Sequence, residues 1–418
     1  MKILKLPAYY DPEQVASSHL TSDVNEAFIN EGYIIENYVP IPSRGISEEV
    51  REQYKTKIYE EECDGHIIIH RFPVFPEKKS TIQRTLRYIF VNVKQYYRGS
   101  KAKDIDLIYA GSTPPTQGIL CSKVKKKLSK RYGRSIPFIY VLQDIFPDSL
   151  VNANMIKKGS FIWKIGRKME DYTYRNADKI IVIIDDYKKN IMAKGVPDDK
   201  IIVIPNWVNT DNVVPVERMD NLLIDRYQIN PNSFIVCYSG NIGHSQNLTL
   251  LIELAKRVKD TYPDILFVII GEGAQKEELI SLKEKHALSN VLILPFQDYS
   301  EIAHVFSLGD AGLLISKSGV GLSSVPSKTW GIMSASRPVL ASIDKQSYAS
   351  DLIDRIGCGV ACGADDVNAL EKGLIELYEN RNRRKEMGAK GRDYVTKELN
   401  KDIATKKYVD VIKSVIEK

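Results

Sequence analysis

The feature that most constrains the fold is a regular alternation of short apolar runs with longer amphipathic stretches. An apolar run over residues 2–6 is followed by a helical pattern over 17–31 and by a second apolar run over 34–39. The same rhythm starts again at residue 234. Apolar runs of this kind suit strands covered on both faces, and parallel strands need crossover helices between them. The sequence therefore predicts an α/β fold built on parallel sheets.

The length of the chain, 418 residues, favours two domains over one hydrophobic core. A polar stretch over 210–225 lacks a clear period, and we expect the inter-domain linker there. The predicted boundaries are 1–211, joined by a last helix at about 400–418, and 212–399. No internal repeat of the solenoid kind is visible.

Several classes of protein are disfavoured by what the sequence lacks. It contains no apolar run long enough for a transmembrane helix, and Tyr9, Asp11 and Glu13 interrupt what could begin a signal peptide. The five cysteines are scattered and form no zinc motif, so we expect no metal and a reduced, cytoplasmic compartment. No G-x-G-x-x-G follows the first strand and no Walker lysine motif is present, which argues against dehydrogenases and phosphate-loop ATPases.

The charge is concentrated in one segment of the first half. Residues 71–134 hold sixteen Lys and Arg against three acids, whereas the whole chain has a net charge of +6. An amphipathic helix over 81–97 has one apolar stripe, and basic side chains form a second stripe. The apolar stripe is Ile82, Leu86, Ile89, Val93 and Tyr97; the basic candidates for acceptor or membrane contact are Arg84, Arg87, Lys94 and Arg98, with Lys125 and Lys126 further on.

This pattern suits an anionic membrane surface, so we expect a peripheral protein on the inner face of the plasma membrane. A helix packed on a sheet with a solvated polar face is the open alternative. No nucleic-acid-binding module accompanies the basic segment, and no nucleic-acid partner is expected.

Candidate catalytic residues of the first half follow apolar runs. Ligands of open α/β sheets bind outside the carboxyl ends of the strands, and Asp144 lies there, after residues 137–142. His19 lies in the segment after the first strand and could face the same cleft. A helix-capping or loop role for Asp144 and a structural role for His19 are the open alternatives. Asp104 and Asp106 match a D-x-D metal pattern, but they open a strand and are expected to cap it.

Three strand-end loops of the second half predict a nucleoside-diphosphate site. Gly240 and Gly271 each follow a buried strand, and glycine allows close backbone approach to a phosphate. The third loop, 323–342, runs into a helix after Pro326, where free N–H groups and the charge of Lys328 favour an anion. An ordinary strand–helix connection remains the alternative. The expected donor-binding set is Gly240, Asn241, Gly271, Gly273, Phe296, Ser324, Val325, Pro326, Ser327 and Lys328.

Six segments carry recognisable motifs: residues 10–13, 143–148, 204–206, 239–243, 271–273 and 325–339. Taken together, these motifs resemble the retaining family 4 glycosyltransferases of the two-domain GT-B type. The resemblance covers nearly the full length, and within the family it points to the subgroup that builds capsule, exopolysaccharide or O-antigen repeats, which includes N-acetylfucosamine transferases.

The resemblance implies two facing Rossmann-like domains with a C-terminal helix that crosses back. It implies a nucleotide-sugar donor, UDP-linked, in the C-terminal domain and a lipid-linked saccharide acceptor in the N-terminal domain. No further cofactor is implied. Lys328 and the backbone N–H groups of 325–328 would stabilise the leaving diphosphate, with Asp144 or His19 orienting the acceptor. A nucleotide-sugar epimerase and a non-catalytic membrane-associated binding protein remain alternatives.

The chain also departs from the family pattern. Two glutamates usually lie eight residues apart in the 323–342 stretch, and here those positions are Ser323 and Gly331. An arginine and a lysine usually follow the glycine after the first strand of the donor domain; here they are Asn241 and Gln246. We expect Lys328 to replace the missing cations, with Lys317 and Arg337 as weaker candidates.

Overall fold

Two predominantly parallel β-sheets flanked by helices organise the chain, as the apolar rhythm predicts. The computed structural model describes residues 1–13, 18–77, 80–152, 155–321 and 325–417, and for residues 81 and 82 only the backbone. Contacts divide the chain into two units, Met1–Pro205 with Ala404–Lys418 and Asn206–Ile403. The α/β fold class is therefore confirmed, with one sheet in each unit.

The first unit contains an eight-stranded sheet. Its strands are β1 (Lys2–Lys5), β2 (Ile34–Pro40), β3 (Tyr59–Glu62), β4 (Ile67–Phe72), β5 (Leu107–Gly111), β6 (Phe138–Leu142), β7 (Lys179–Val182) and β8 (Ile201–Val203). Its helices are α1 (Ser18–Asn30), α2 (Glu48–Thr56), α3 (Thr81–Gly99), α4 (Thr116–Tyr132), α5 (Asp148–Asn152), α6 (Phe161–Asn176) and α7 (Asp185–Ala193).

The strand order of this sheet is β3-β4-β2-β1-β5-β6-β7-β8, and only β3 pairs antiparallel, with β4. The connections β4 to β5, β5 to β6 and β6 to β7 all advance in one direction along the sheet. Right-handed crossovers place α3, α4 and α6 on the same face for that reason. The helix α4 packs against both α3 and α6.

The second unit contains a six-stranded parallel sheet. Its strands are β9 (Phe234–Ser239), β10 (Ile265–Ile270), β11 (Val291–Leu294), β12 (Ala311–Ile315), β13 (Val339–Ile343) and β14 (Gly359–Gly363), in the order β11-β10-β9-β12-β13-β14. Its helices are α8 (Leu222–Arg226), α9 (Thr249–Val258), α10 (Lys276–Lys285), α11 (Ile302–Ser307), α12 (Lys328–Ser334), α13 (Tyr348–Ile356), α14 (Val367–Glu379) and α15 (Arg381–Glu398).

The last helix, α16 (Lys401–Ile416), belongs to the first unit from Ala404 onward. Its Tyr408 is 2% exposed and its ring lies 6.5 Å from that of Tyr109 on β5. Lys413 forms an ion pair with Glu31, with 2.6 Å between nitrogen and oxygen. No helix in the described ranges is long and apolar enough to cross a bilayer.

The stretch expected to be a polar linker is folded against the second unit. Val208 and Val213 are buried in one core cluster with Trp330, Ile332 and Met333. A short 3-10 helix (Arg218–Asp220) and α8 follow, and both belong to the second unit. The few apolar side chains of this stretch are irregularly spaced, which is why its periodicity is weak although the chain is packed.

Sequence reasoning also missed α15, whose eighteen residues carry little apolar periodicity. Arg392 of this helix donates hydrogen bonds to the carbonyl oxygens of Thr210, Val213 and Ser334 at 2.8–3.0 Å. Since three carbonyls from two separate segments share one guanidinium, α15 holds the 206–216 segment against α12.

Replacing Arg392 by methionine should therefore destabilise the second unit. Carbonyls that lose a charged donor cost about 2 kcal/mol in the free energy of unfolding. Urea denaturation measures this loss, and Arg381→Met, at an exposed position at the start of the same helix, is the control. Equal stability of the two variants would contradict the role given to Arg392.

Candidate functional site

The candidate site of the second unit lies where its strand order changes direction. β9 pairs with β10 on one edge and with β12 on the other, so the connections after β9 and β12 leave in opposite directions. Crevices form at the carboxyl ends of strands at such a point. The loops that follow β9, β10 and β12 are those in which the sequence predicts an anion site.

The loops after β9 and β10 are joined backbone to backbone. The Gly240 N–H donates to the Ile270 carbonyl at 2.9 Å, and the Ile242 N–H donates to the Glu272 carbonyl at 2.8 Å. A Cβ on Gly271 would overlap the Gly240 carbonyl oxygen, and one on Gly273 would overlap the backbone of Ile242. These two glycines are therefore required by the contact between the loops themselves, a reason that sequence reasoning did not identify.

Lys328, the first residue of α12, reaches across Gly240. Its Nζ donates a hydrogen bond to the Tyr238 hydroxyl at 2.6 Å and lies 4.0 Å from the centre of that ring. The Tyr238 hydroxyl in turn donates to the Asn241 carbonyl at 2.6 Å. A Cβ on Gly240 would collide with the Lys328 side chain, so the glycine clears the path of the lysine.

Burial lowers the pKa of Lys328 to about 7. No carboxylate within the described residues forms an ion pair with it, and it lines a small cavity together with Ser239 and Phe306. A buried ammonium without a counter-ion is stabilised by an anion that enters beside it. The arrangement therefore provides a cation whose charge a bound phosphate can neutralise.

Gly331 explains one of the departures from the family pattern. Any side chain there would overlap the ring of Phe306, which belongs to α11. The ring fills the space into which a glutamate at this position would extend. Ser323 and Ser324, which belong to the same stretch, lie outside the described residues.

The N-terminus of α12 offers fewer free N–H groups to an anion than the sequence suggests. α12 has only seven residues, and the N–H groups of Thr329 and Trp330 donate to the carbonyls of Pro326 and Ser327 at 3.1 and 3.2 Å. These two N–H groups are therefore engaged within the chain. Val325 and Pro326 are half-buried and Ser327 is exposed.

Two aspartates that sequence reasoning missed organise the loop after β12. Asp344, which follows β13, accepts hydrogen bonds from the N–H groups of Gly319 and Gly321 at 2.8 and 2.9 Å. Asp365, which follows β14, accepts from the Ser318 N–H at 3.1 Å. The signal was available, because Asp344 directly follows a buried strand, as ligand and loop residues of such sheets do.

The remaining residues predicted to bind the donor differ in their distance from the carboxyl ends of β9 and β12. Asn241 is exposed, and Phe296 is 53% exposed in the loop after β11, two strands from β9. Lys317 is exposed in the loop after β12. Arg337, in contrast, precedes β13 and donates to the carbonyls of Val216 and Ser307, so it lies at the opposite edge and cannot supply the missing charge.

Asp144 and His19 both belong to the first unit, at the carboxyl edge of its sheet. Neighbouring groups desolvate the Asp144 carboxyl and raise its pKa, although much of the residue remains exposed. It lines a cavity with Tyr140 and Glu170. Burial lowers the pKa of His19, the second residue of α1. His19 follows β1 and Asp144 follows β6, and β5 lies between these two strands in the sheet.

The basic residues predicted to face an acceptor or a membrane divide into two groups. Arg87 is completely buried, with nitrogens 4.0 Å from Glu13 and 3.9 Å from Glu77, and Lys125 forms an ion pair with Asp178 at 2.6 Å. The prediction of a surface contact is wrong for Arg87, because this side of α3 packs on the sheet.

The other four lie nearer the surface. Arg98 and Lys126 are exposed, Arg84 is 41% exposed while paired with Glu77, and Lys94 donates to the Pro73 carbonyl.

The D-x-D pattern lies at the amino end of β5, opposite the carboxyl edge of the same sheet. Asp106 accepts from the Lys2 N–H at 3.0 Å and pairs with Arg134, so it caps the amino end of the neighbouring strand β1. Within the described ranges, no group of three or more His, Cys, Asp or Glu is arranged to hold a metal ion.

Family models match both halves of the chain. Residues 44–212 match the model of glycosyltransferase family 4, and residues 220–394 match that of glycosyl transferases group 1. The putative colanic acid biosynthesis glycosyl transferase WcaI of Escherichia coli is 24% identical over 99% of this chain and all of its own length. The probable glycosyltransferase WbjE of Pseudomonas aeruginosa is 27% identical over 67% of this chain and 68% of its own.

Solved structures share the fold over the whole chain. Anabaena HepE, solved in complex with UDP, superposes with a TM-score of 0.73 at 14% identity, covering 99% of this chain and all of its own. WaaG, a glycosyltransferase involved in lipopolysaccharide biosynthesis, gives 0.68 at 12% identity over 98% and 99%. With both family models matched in sequence and this fold shared along its length, the chain belongs to the family 4 glycosyltransferases of the GT-B type.

Proposed function

We propose that this glycosyltransferase moves a sugar from a UDP-linked donor to a lipid-linked saccharide in the assembly of a surface polysaccharide, with retention at the anomeric carbon. The observation that carries the proposal is the half-buried, desolvated Lys328 ammonium at the switch point of the second sheet, which forms no ion pair with a carboxylate among the described residues. The relatives named for colanic acid and lipopolysaccharide biosynthesis support the polysaccharide context. An N-acetylated amino sugar is the group to test first.

The donor diphosphate is assigned to the second unit. Lys328 lies beside the loops after β9 and β10, whose Gly240 and Gly273 leave the carboxyl edge without side chains. The neighbour solved with UDP shares this fold, which supports a uridine nucleotide. Lys317 is the second cation at this edge.

The site promotes the reaction by electrostatic stabilisation of the leaving group. The bond between the anomeric carbon and the phosphate oxygen breaks, and its electron pair goes to the diphosphate. The acceptor hydroxyl oxygen bonds to the same carbon on the same face, and its proton goes to the departing phosphate oxygen. Lys328 stabilises the charge that grows on the diphosphate, and a buried cation does this more strongly than a hydrated one.

The acceptor is assigned to the first unit. Asp144 and His19 lie at the carboxyl edge of its sheet, where they are available to orient a sugar hydroxyl. The lowered pKa of His19 favours its neutral form, which donates and accepts hydrogen bonds without carrying charge to the reaction.

The direct experiment adds candidate nucleotide-sugars to the purified enzyme and a lipid extract of polysaccharide-producing cells. The proposal expects release of UDP together with transfer of the labelled sugar to lipid. A changed stereocentre on the donor without transfer would instead identify an epimerase. Binding of every donor without turnover would identify a binding protein.

Lys328→Ala should lower kcat by about 100-fold or more, because the variant loses the charge that stabilises the leaving diphosphate. The thermal midpoint of unfolding without ligand should not fall, since the variant no longer buries an ammonium. Lys345→Ala, at an exposed position after β13, is the matched control. Near-normal turnover of the Lys328 variant would remove this residue from the mechanism.

The pH dependence should also report Lys328. Because its pKa is about 7 in the free enzyme, kcat/KM should fall as the pH rises above about 7, where the ammonium loses its proton. Bound donor stabilises the ammonium, so the fall in kcat should come at higher pH. In Lys328→Arg the charge persists, and the fall in kcat/KM near pH 7 should disappear. A wild-type profile that stays flat to about pH 9 would contradict this assignment.

A further inference from the structure

Helix α3 packs with its polar side inward and its apolar side outward. Arg87 and Gln95 are 0% exposed on the side that meets the sheet, together with Val91. On the outside are Leu86 (46% exposed), Ile89 (51%), Phe90 (53%), Val93 (61%) and Tyr97 (63%). We call these five residues the outer face of α3. A helix that covers a sheet normally buries its apolar stripe.

The inward contacts fix this rotation. The Gln95 amide donates to the Pro7 and Tyr38 carbonyls at 2.8 and 2.9 Å, in the segments that end β1 and β2. Arg87 lies between Glu13 and Glu77. Turning the helix to bury its apolar stripe would expose these carbonyls and separate these charges, so the outer face is a built feature of the unit.

Neighbouring residues extend the apolar area. The Phe75 ring, 42% exposed, packs against Phe90 with 5.5 Å between ring centres. On α6, which lies on the same sheet face beyond α4, Phe161 and Ile162 are 78% and 57% exposed. The contact between Phe75 and Phe90 makes the apolar area of α3 continuous with the loop after β4, whereas Phe161 and Ile162 form a separate exposed pair beyond α4. Contiguous exposed apolar areas mark contact sites, whereas single exposed apolar residues do not.

The charge around this area has one sign. The sequences of α3 and α4 contain four and six Lys or Arg and no acidic residue. On α4, which packs against α3, the exposed cations are Lys123, Lys126, Lys127, Lys130 and Arg131. Apolar and aromatic side chains beside a field of lysines match the interface of an anionic bilayer.

We propose that the outer face of α3 inserts into the interface of an anionic bilayer while the lysines of α4 contact lipid headgroups. The inference deepens the proposed function, on which it rests for the lipid-linked acceptor, by naming the surface that brings the enzyme to it. A second copy of the chain fits less well, because a symmetric contact would bring the exposed cations of α4 on the two copies together.

The test uses the full-length protein and sedimentation with vesicles of phosphatidylcholine alone or mixed with phosphatidylglycerol. The wild type should bind the mixed vesicles and bind those of phosphatidylcholine alone at least about 10-fold more weakly. The double variant Ile89→Ser, Val93→Ser should lower the partition constant for mixed vesicles about 10-fold or more. Met219→Ser, which alters a 77% exposed side chain of the second unit, should bind like the wild type.

The headgroup contact has its own pair of variants. Lys127→Glu with Lys130→Glu should remove about 10-fold or more of the preference for phosphatidylglycerol. Lys406→Glu with Lys407→Glu, the same change at exposed positions of α16, should leave it intact. Circular dichroism of each variant establishes that it is folded.

Two results would overturn the inference. One is unchanged vesicle binding by the folded α3 variants. The other is a wild-type dimer, seen by light scattering, that these variants dissociate, because it would make a second copy the occupant. Failure to detect sugar transfer by the wild type would count against the proposed function alone, since the vesicle assay needs neither donor nor acceptor.

Discussion

The geometry of the candidate site depends on the reach of one lysine side chain across one glycine. Lys328 meets the Tyr238 hydroxyl only because β9 and β12 are neighbours in the sheet and because position 240 has no side chain. The loop after β10 sets the second condition, since Gly271 lets it close on the Gly240 carbonyl. A side chain at Gly271 would displace the loop that frames the ammonium, and one at Gly240 would displace the Lys328 side chain itself.

The role proposed for this lysine accounts for the residues that the family usually has and this chain lacks. A buried ammonium costs desolvation free energy in the empty site, and burial lowers its pKa to about 7. An entering diphosphate recovers part of that cost, so one desolvated cation can replace two hydrated ones. Where the family places a glutamate, the Phe306 ring against Gly331 leaves no room for a carboxylate, and none offsets the charge of Lys328 from that position.

The alternation of strands and helices could be predicted from the sequence because the strands of a parallel sheet are continuous apolar runs, and glycines often follow them. Lys328 was found because a lone cation follows Pro326 in a polar loop. The sequence did not reveal why Gly271 and Gly273 are needed, because a contact between two loops leaves no local sequence pattern. α15 was missed because its buried positions are one methionine, one valine and two glycines, and two buried apolar side chains among eighteen residues carry little periodicity. Asp344 was missed because its partners are backbone N–H groups.

The rotation of α3 about its own axis shows most clearly what could not be predicted from the sequence. A helical projection separates its apolar and basic stripes, but it cannot say which stripe meets the sheet. That choice depends on Gln95, whose amide satisfies the Pro7 and Tyr38 carbonyls at once, and on two glutamates far along the chain from Arg87. Because the inner side of the helix holds the segments that end β1 and β2, and its outer face is the surface proposed to meet the bilayer, the proposal places membrane contact and the acceptor edge on one rigid element.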